Sequence, residues 1–196
     1  AMKLPITVAG ALMPDAHLGY GLPNGGVLGT SNAGIPYGVG VDIGCRMALS
    51  IYDIPESNFL ENEAKYKREL IAWTKFGAGN GWQGKYRAEH AVLDRPEFNA
   101  TPFIRSLHDK ASHQLGTSGG GNHFVEWGII EFDKADAQLN IPKGKYVALL
   151  SHSGSRGFGA TIAGHYTKLA KDLCKLPDAA KNLAYLSLDS AEGQEY

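Results

Sequence analysis

The chain has 196 residues, 43% of them hydrophobic and 20% charged, which excludes a disordered polypeptide and supplies the apolar surface for one ordinary domain with a core. Lys plus Arg total 19 against 20 Asp plus Glu, so no global basic excess marks a polyanion partner, and any nucleic-acid contact has to come from a local cluster. No apolar run approaches the roughly 20 residues that span a bilayer, and Met2 to Leu12 carries only Lys3 ahead of a brief apolar run, a poor secretory signal, so a cytoplasmic protein without a membrane is expected.

In chain order, residues 13 to 45 are dominated by Gly, Pro and Asn and read as loop and short strand. Arg46 to Tyr52 alternates as a strand. Asn58, with Glu61 three residues on, reads as a capping box, and Leu60, Ala64, Leu70, Ile71 and Trp73 mark a helical face, so a helix is expected from Asn58 to Lys75. Gly77, Gly79, Gly81 and Gly84 make a second flexible stretch around Trp82. Thr101-Pro102 then opens a helix with Phe103, Leu107, Ala111 and Leu115 on one face, ended by Gly116. Asn122 to Phe132 and Tyr146 to Ser151 read as strands, the second buried. Phe158 to Leu173 reads as a helix with Ile162, Tyr166, Leu169, Ala170 and Leu173 in register, and Asp189 to Tyr196 as the opening of another. The interleaving lacks a βαβ rhythm and predicts an α+β fold, mixed sheets with flanking helices, in a single domain over residues 1–196.

Two cysteines in unlike settings argue against a disulfide framework. Cys174, in an amphipathic stretch, reads as a small core residue, whereas Cys45 sits in a glycine-rich turn and is a candidate ligand. Asp42 and Cys45, three apart around Gly44, together with His123 and His152, offer carboxylate, thiolate and imidazole. That set suits a borderline divalent ion such as Zn²⁺, Mn²⁺ or Fe²⁺. His17, beside Asp15, is either close to that site or substrate-facing, and Asp15 equally serves a turn. Gly119-Gly120-Gly121-Asn122 offers bare amides to an anion. Ser151 to Gly157 puts His152, three hydroxyls and Arg156 at the start of a helix, where phosphate binds, with N-capping by Ser155 as the ordinary alternative. Gly116-Thr117-Ser118-Gly119-Gly120 satisfies the nucleophile-elbow pattern, with Asp133 or Asp136 and His152 available, but a helix before it and a strand after it reverse the required context. No dinucleotide fingerprint or Walker A sequence is complete.

Four blocks carry a resemblance: Met13-Pro14-Asp15-Ala16-His17-Leu18-Gly19-Tyr20-Gly21, Gly38-Val39-Gly40-Val41-Asp42-Ile43-Gly44-Cys45, Gly119-Gly120-Gly121-Asn122-His123-Phe124-Val125-Glu126 and His152-Ser153-Gly154-Ser155-Arg156-Gly157. In this order the chain resembles the RtcB family of RNA-splicing ligases. The resemblance implies a GTP- and Mn²⁺-dependent enzyme that joins an RNA 3′-phosphate or 2′,3′-cyclic phosphate end to a 5′-hydroxyl, acting on tRNA halves or cleaved RNA, with an archease-like activator as a possible partner class. It implies that Asp42, Cys45, His123 and His152 belong to a two-metal centre. Asn122, Phe124 and Glu126 would meet the guanine nucleotide, and Arg156 and His17 RNA or nucleotide phosphate. The family's guanylated histidine and a further metal histidine, both near its C-terminal end, have no counterpart here, and its N-terminal segment is short or absent. The expectation is a truncated chain that binds metal and some nucleotide without forming the covalent guanylate. A metal-dependent phosphohydrolase and a non-catalytic metal-binding module are the alternatives.

Overall fold

Glycine and apolar residues before position 45 form a hairpin and short pairings in the computed structural model, which describes residues 1–196. The elements in order are β1 (Thr7–His17), β2 (Asn24–Thr30), β3 (Ala33–Gly34), β4 (Arg46–Tyr52), α1 (Glu56–Glu61), α2 (Glu63–Trp73), α3 (Pro102–Ser106), α4 (His108–Gln114), β5 (Phe124–Phe132), β6 (Gly144–Ser153), α5 (Arg156–Leu173), β7 (Leu186–Ser187) and α6 (Ala191–Glu195). Short 3₁₀ segments lie at Gly84–Tyr86, Ala91–Asp94, Pro96–Asn99 and Asp178–Leu183. Three small sheets, β1-β2, β3-β7 and β4-β6-β5, stand among helices, the α+β class expected. Their strand pairs are antiparallel, where the sequence suggests mixed sheets; β1-β2 and β5-β6 follow one another in the chain without the helical crossover that parallel neighbours need. One parallel bridge, Phe76 to Gly119, lies outside them.

Local chemistry explains where elements start and stop. The helix expected from Asn58 to Lys75 is two helices, broken at Asn62 (φ −119°, ψ 22°). Asn62 Nδ2 donates to the Asn58 carbonyl at 2.9 Å, a side-chain competitor for the helical ladder. The capping box does not form, since Pro55 occupies the cap position and Asn58 Oδ1 instead accepts from Tyr66 Oη at 2.9 Å. Thr101 does open a helix: its Oγ1 accepts from the Ile104 amide at 3.1 Å ahead of Pro102. That helix also divides, at Leu107 (φ −92°, ψ −5°). Gly116 (φ +71°) turns the chain away from α4 in a conformation open to glycine. At the other end of the chain, Ser190 caps α6, its hydroxyl accepting from the Gly193 amide at 3.1 Å.

Contacts sort into two compact units. The first comprises residues 1–44, 89–113 and 155–196, and the second residues 45–88 and 114–154. The core of the first gathers Tyr166, Ala170, Ala184 and Leu186, with Phe103, Ile162, Leu169, Cys174 and Leu176 packed against it. Ile162, Tyr166, Leu169 and Ala170 of α5 face it as the 3.6-residue period predicts, each large side chain contributing about 1.5–3 kcal/mol. Leu173 does not: it is 60% exposed in the final turn, and Cys174 packs on the core in its place. In the second unit β6 is central, with Val147 and Ala148 buried. One sheet face carries Tyr52 and Trp127, which meet Tyr66 and Phe59 of the helices in a chain of rings 5.0–5.6 Å apart. Strand alternation sends Met47, Phe124, Glu126, Leu150 and His152 to the opposite face.

Tyr166 is 1% exposed, and burial, followed by its hydrogen bond to Glu195, pushes its hydroxyl up to about 12 from 10.0. The raised value means that burial favours the neutral phenol, so its contribution is complete below pH 10 and is lost as the unfolded chain ionises first between pH 10 and about 12. Unfolding temperatures measured across that window should fall steeply for the natural chain. Tyr166→Phe should remove up to about 1.4 kcal/mol per pH unit of that slope; an unchanged slope would refute the assignment.

Candidate metal centre

The register of the second unit's sheet brings three distant residues together. Phe124 of β5 and Met47 of β4 both pair with His152 of β6. The residue before β5, His123, therefore lies beside His152, their rings 5.3 Å apart, and Cys45, two residues ahead of Met47, reaches the same imidazole. Cys45 Sγ is 2.9 Å from His152 Nε2. One donor atom from each of Cys45, His123 and His152 lies within 4.8 Å of the others.

The His123 ring is oriented from behind. Its Nδ1 is 2.9 Å from the Ser118 carbonyl, which can only accept, so Nδ1 carries the proton and Nε2 keeps the lone pair that a metal needs. Ser118 is held in turn. Ser153 Oγ, from β6, donates to the carbonyls of Thr117 and Ser118 at 3.1 and 3.0 Å, and both residues are only 6% exposed. Sequence reasoning missed this support, because a backbone carbonyl carries no residue-type signal. The same burial disposes of the nucleophile-elbow pattern: Ser118 is enclosed, with α4 before it and β5 after it, the reversed context already visible in the sequence.

A thiolate and two imidazoles fit a borderline divalent cation, whose bonds of about 2.0–2.3 Å would draw the cluster slightly tighter. Cys45 is exposed and both histidines half-buried, so the donors can be reached from solvent. Phe124 stands edge-on to His152 at 5.5 Å, exposed, with Glu126 exposed further along the same face. Asn122 is exposed in the turn before β5, where Gly119 (φ +94°) and Gly121 (φ +72°) bend the chain; a Cβ on Gly121 would meet nothing within 4 Å, leaving its backbone open to a ligand.

The other sequence candidates belong to the first unit. Asp42 Oδ1 accepts from the Ser155 amide at 2.8 Å and from its hydroxyl at 3.0 Å, so the start of α5 is held by Asp42, and Ser155 makes no side-chain cap of its own. Arg156, the first residue of α5, has φ +56°, and His17 sits at the end of β1 with Nδ1 toward the Asp15 carbonyl and Nε2 toward Asn24.

A sequence model of the family described as tRNA-splicing ligase RtcB matches residues 1–196. The chain belongs to the RtcB family. It is 30% identical to the tRNA-splicing ligase RtcB of Archaeoglobus fulgidus over 97% of its own length and 47% of that protein's. It is 32% identical to the RNA-splicing ligase RtcB of Escherichia coli K12, covering 95% and 45%. With the tRNA-splicing ligase RtcB of Nanoarchaeum equitans it shares 32% identity, covering 94% and 46%. The chain thus spans about half the length of the curated relatives it matches. No helix in it is long and apolar enough to cross a membrane.

If the three donors of this RtcB chain act together, Cys45→Ala should weaken metal uptake by more than the roughly 10–100-fold that loss of an outer-shell partner costs. Ser153→Ala, which leaves every donor in place, should stay within that range. Metal analysis of the purified variants checks both, and stoichiometric metal retained in Cys45→Ala would remove Cys45 from the centre.

Proposed function

We propose that this chain carries the metal- and nucleotide-binding part of a GTP- and Mn²⁺-dependent RNA ligase, which joins 3′-phosphate or 2′,3′-cyclic phosphate ends to 5′-hydroxyl ends in the cytoplasm. The observation that carries the proposal is the convergence of Cys45, His123 and His152 beside the glycine turn that ends in Asn122, in a chain of the RtcB family. Divalent metal held there would supply charge neutralisation at phosphate, the usual need of nucleotidyl transfer.

The chain's own residues take complementary tasks. His123 and His152 ligate through Nε2, with Ser118 keeping the proton of His123 on the far nitrogen. Asn122 and the Gly119–Gly121 backbone bind the nucleotide phosphates, since glycine lets amides approach closely. Phe124 offers an exposed ring to a flat base, and Glu126, on the same face, a carboxylate to the N–H edge of guanine. For Asp42 as a further ligand, and for Arg156 and His17 as phosphate contacts, the assignment comes from the sequence resemblance.

Titration of the chain with GTP tests the proposal. Binding should require Mn²⁺, should prefer GTP to ATP, and should weaken roughly 10–100-fold in Glu126→Gln, the value of a charged hydrogen bond. GTP binding indifferent to both metal and Glu126 would defeat it. Phosphate release from cyclic-phosphate RNA without GTP would point instead to a phosphohydrolase.

A further inference from the structure

The chain has no overall basic excess, so a surface for RNA must be local, and one segment of the second unit meets that condition. Between Trp73 and Ala88 stand four aromatic residues, Trp73, Phe76, Trp82 and Tyr86, with Lys75, Lys85 and Arg87 and no Asp or Glu. Aromatic side chains normally go inside, yet Trp73 is 63%, Phe76 43% and Tyr86 53% exposed.

Three of these rings have fixed partners, and Phe76 is held through its backbone. Trp82 Nε1 donates to the Gly116 carbonyl at 3.1 Å, and Trp73 Nε1 to Glu69 at 3.1 Å, Glu69 being itself paired with Arg68. Trp73 and Tyr86 stand 6.4 Å apart, tilted by 55°. Lys75 Nζ lies 5.0 Å from the Trp82 ring and Lys85 Nζ 5.3 Å from the Tyr86 ring, so positive charge sits against aromatic surface. Gly77 (φ +107°) lets the segment turn back at Phe76, where the Asn80 amide donates to the Phe76 carbonyl at 2.6 Å.

The segment is also joined to the candidate metal centre. The Ser118 amide donates to the Lys75 carbonyl at 2.9 Å and the Gly77 amide to the Gly119 carbonyl at 2.7 Å. Ser118 is the residue whose carbonyl orients His123. Two backbone hydrogen bonds therefore tie the ring-bearing segment to the loop that positions a metal donor.

We propose that Trp73, Phe76, Lys75, Lys85 and Tyr86 form a stacking platform for single-stranded RNA, feeding an unpaired end toward the Gly119–His123 loop. The choice of RNA as the end's carrier rests on the function proposed above; the platform itself rests on exposed, fixed π-faces interleaved with lysines, the chemistry that holds unpaired bases and their phosphates. Rings stack on bases of any sequence while lysines meet the backbone, so the platform binds single strands with little sequence preference and ignores duplex, whose bases are already stacked.

Fluorescence anisotropy of a labelled 12-nucleotide single-stranded RNA and of its duplex, titrated with the 196-residue chain, tests this. Trp73→Ala and Tyr86→Ala should each weaken single-strand binding roughly five- to hundredfold, and Trp73→Phe should restore most of it. The double variant Lys75→Gln/Lys85→Gln should lower the salt dependence of log K by about 0.7 for each lysine. Binding should persist in Cys45→Ala and in EDTA. If Cys45→Ala abolishes RNA binding and the aromatic variants leave it intact, RNA is held at the metal centre alone; the platform is overturned and the ligase reading survives. If GTP and Mn²⁺ fail to bind while the aromatic variants still lose RNA, the platform stands without that reading. A change of sedimentation mass in Trp73→Ala, with RNA affinity untouched, would make the patch a contact between chain copies and overturn the proposal.

Discussion

The hydrogen bond from His123 Nδ1 to the Ser118 carbonyl does more than brace a ring, because a carbonyl cannot donate and so decides which nitrogen carries the proton. With the proton behind, the lone pair on Nε2 is available on the side where Cys45 Sγ and His152 Nε2 already meet at 2.9 Å. Loss of this contact would let the imidazole rotate or change tautomer, and a three-donor cluster would become two donors and a bystander. Burial of Thr117 and Ser118, and the forked donation from Ser153, keep the accepting carbonyl in place.

Sheet register supplies the rest. A strand slipped by one residue would send His152 to the face occupied by Tyr52 and Trp127 and scatter the donors. The aromatic chain through Tyr52, Trp127, Tyr66 and Phe59 opposes such a slip, since each ring would leave its partner. Packing on one face of the sheet thus specifies chemistry on the other. On that opposite face Phe124 and Glu126 are exposed and the three donors can be reached from solvent.

What the sequence made legible was short-range. β4 has the boundaries that alternation predicts, whereas β5 begins at Phe124, two residues after the expected start at Asn122, so that His123 lies in the turn opened by Gly119–Gly121. Cys45, His123 and His152 were identifiable by type and setting, and their convergence followed from pairings that no local pattern encodes. The helix break at Asn62 was hidden because Asn58 and Asn62 compete with the backbone through side chains, while a capping pattern at Asn58 suggested the opposite. Strand β1 runs through Met13 to His17, a stretch whose Pro and Asp argued for a loop, because pairing with β2 outweighs local preference despite an irregular register between Leu12 and His17. Leu173 fits the helical period yet is exposed, since periodicity gives a face and not where the core ends. The type of Asp42 suggests a ligand, while the hydrogen bonds by which it holds Ser155 at the start of α5 carry no local signal.

The most direct test of the account is a long-range ¹⁵N–¹H spectrum of the histidine-labelled chain, recorded with and without zinc, which reports the protonated nitrogen of each ring. His123 should be the Nδ1–H tautomer before zinc is added, and the Nε2 signals of His123 and His152 should shift together on addition. A His123 ring protonated on Nε2, or zinc that moves neither signal, would contradict the central claim.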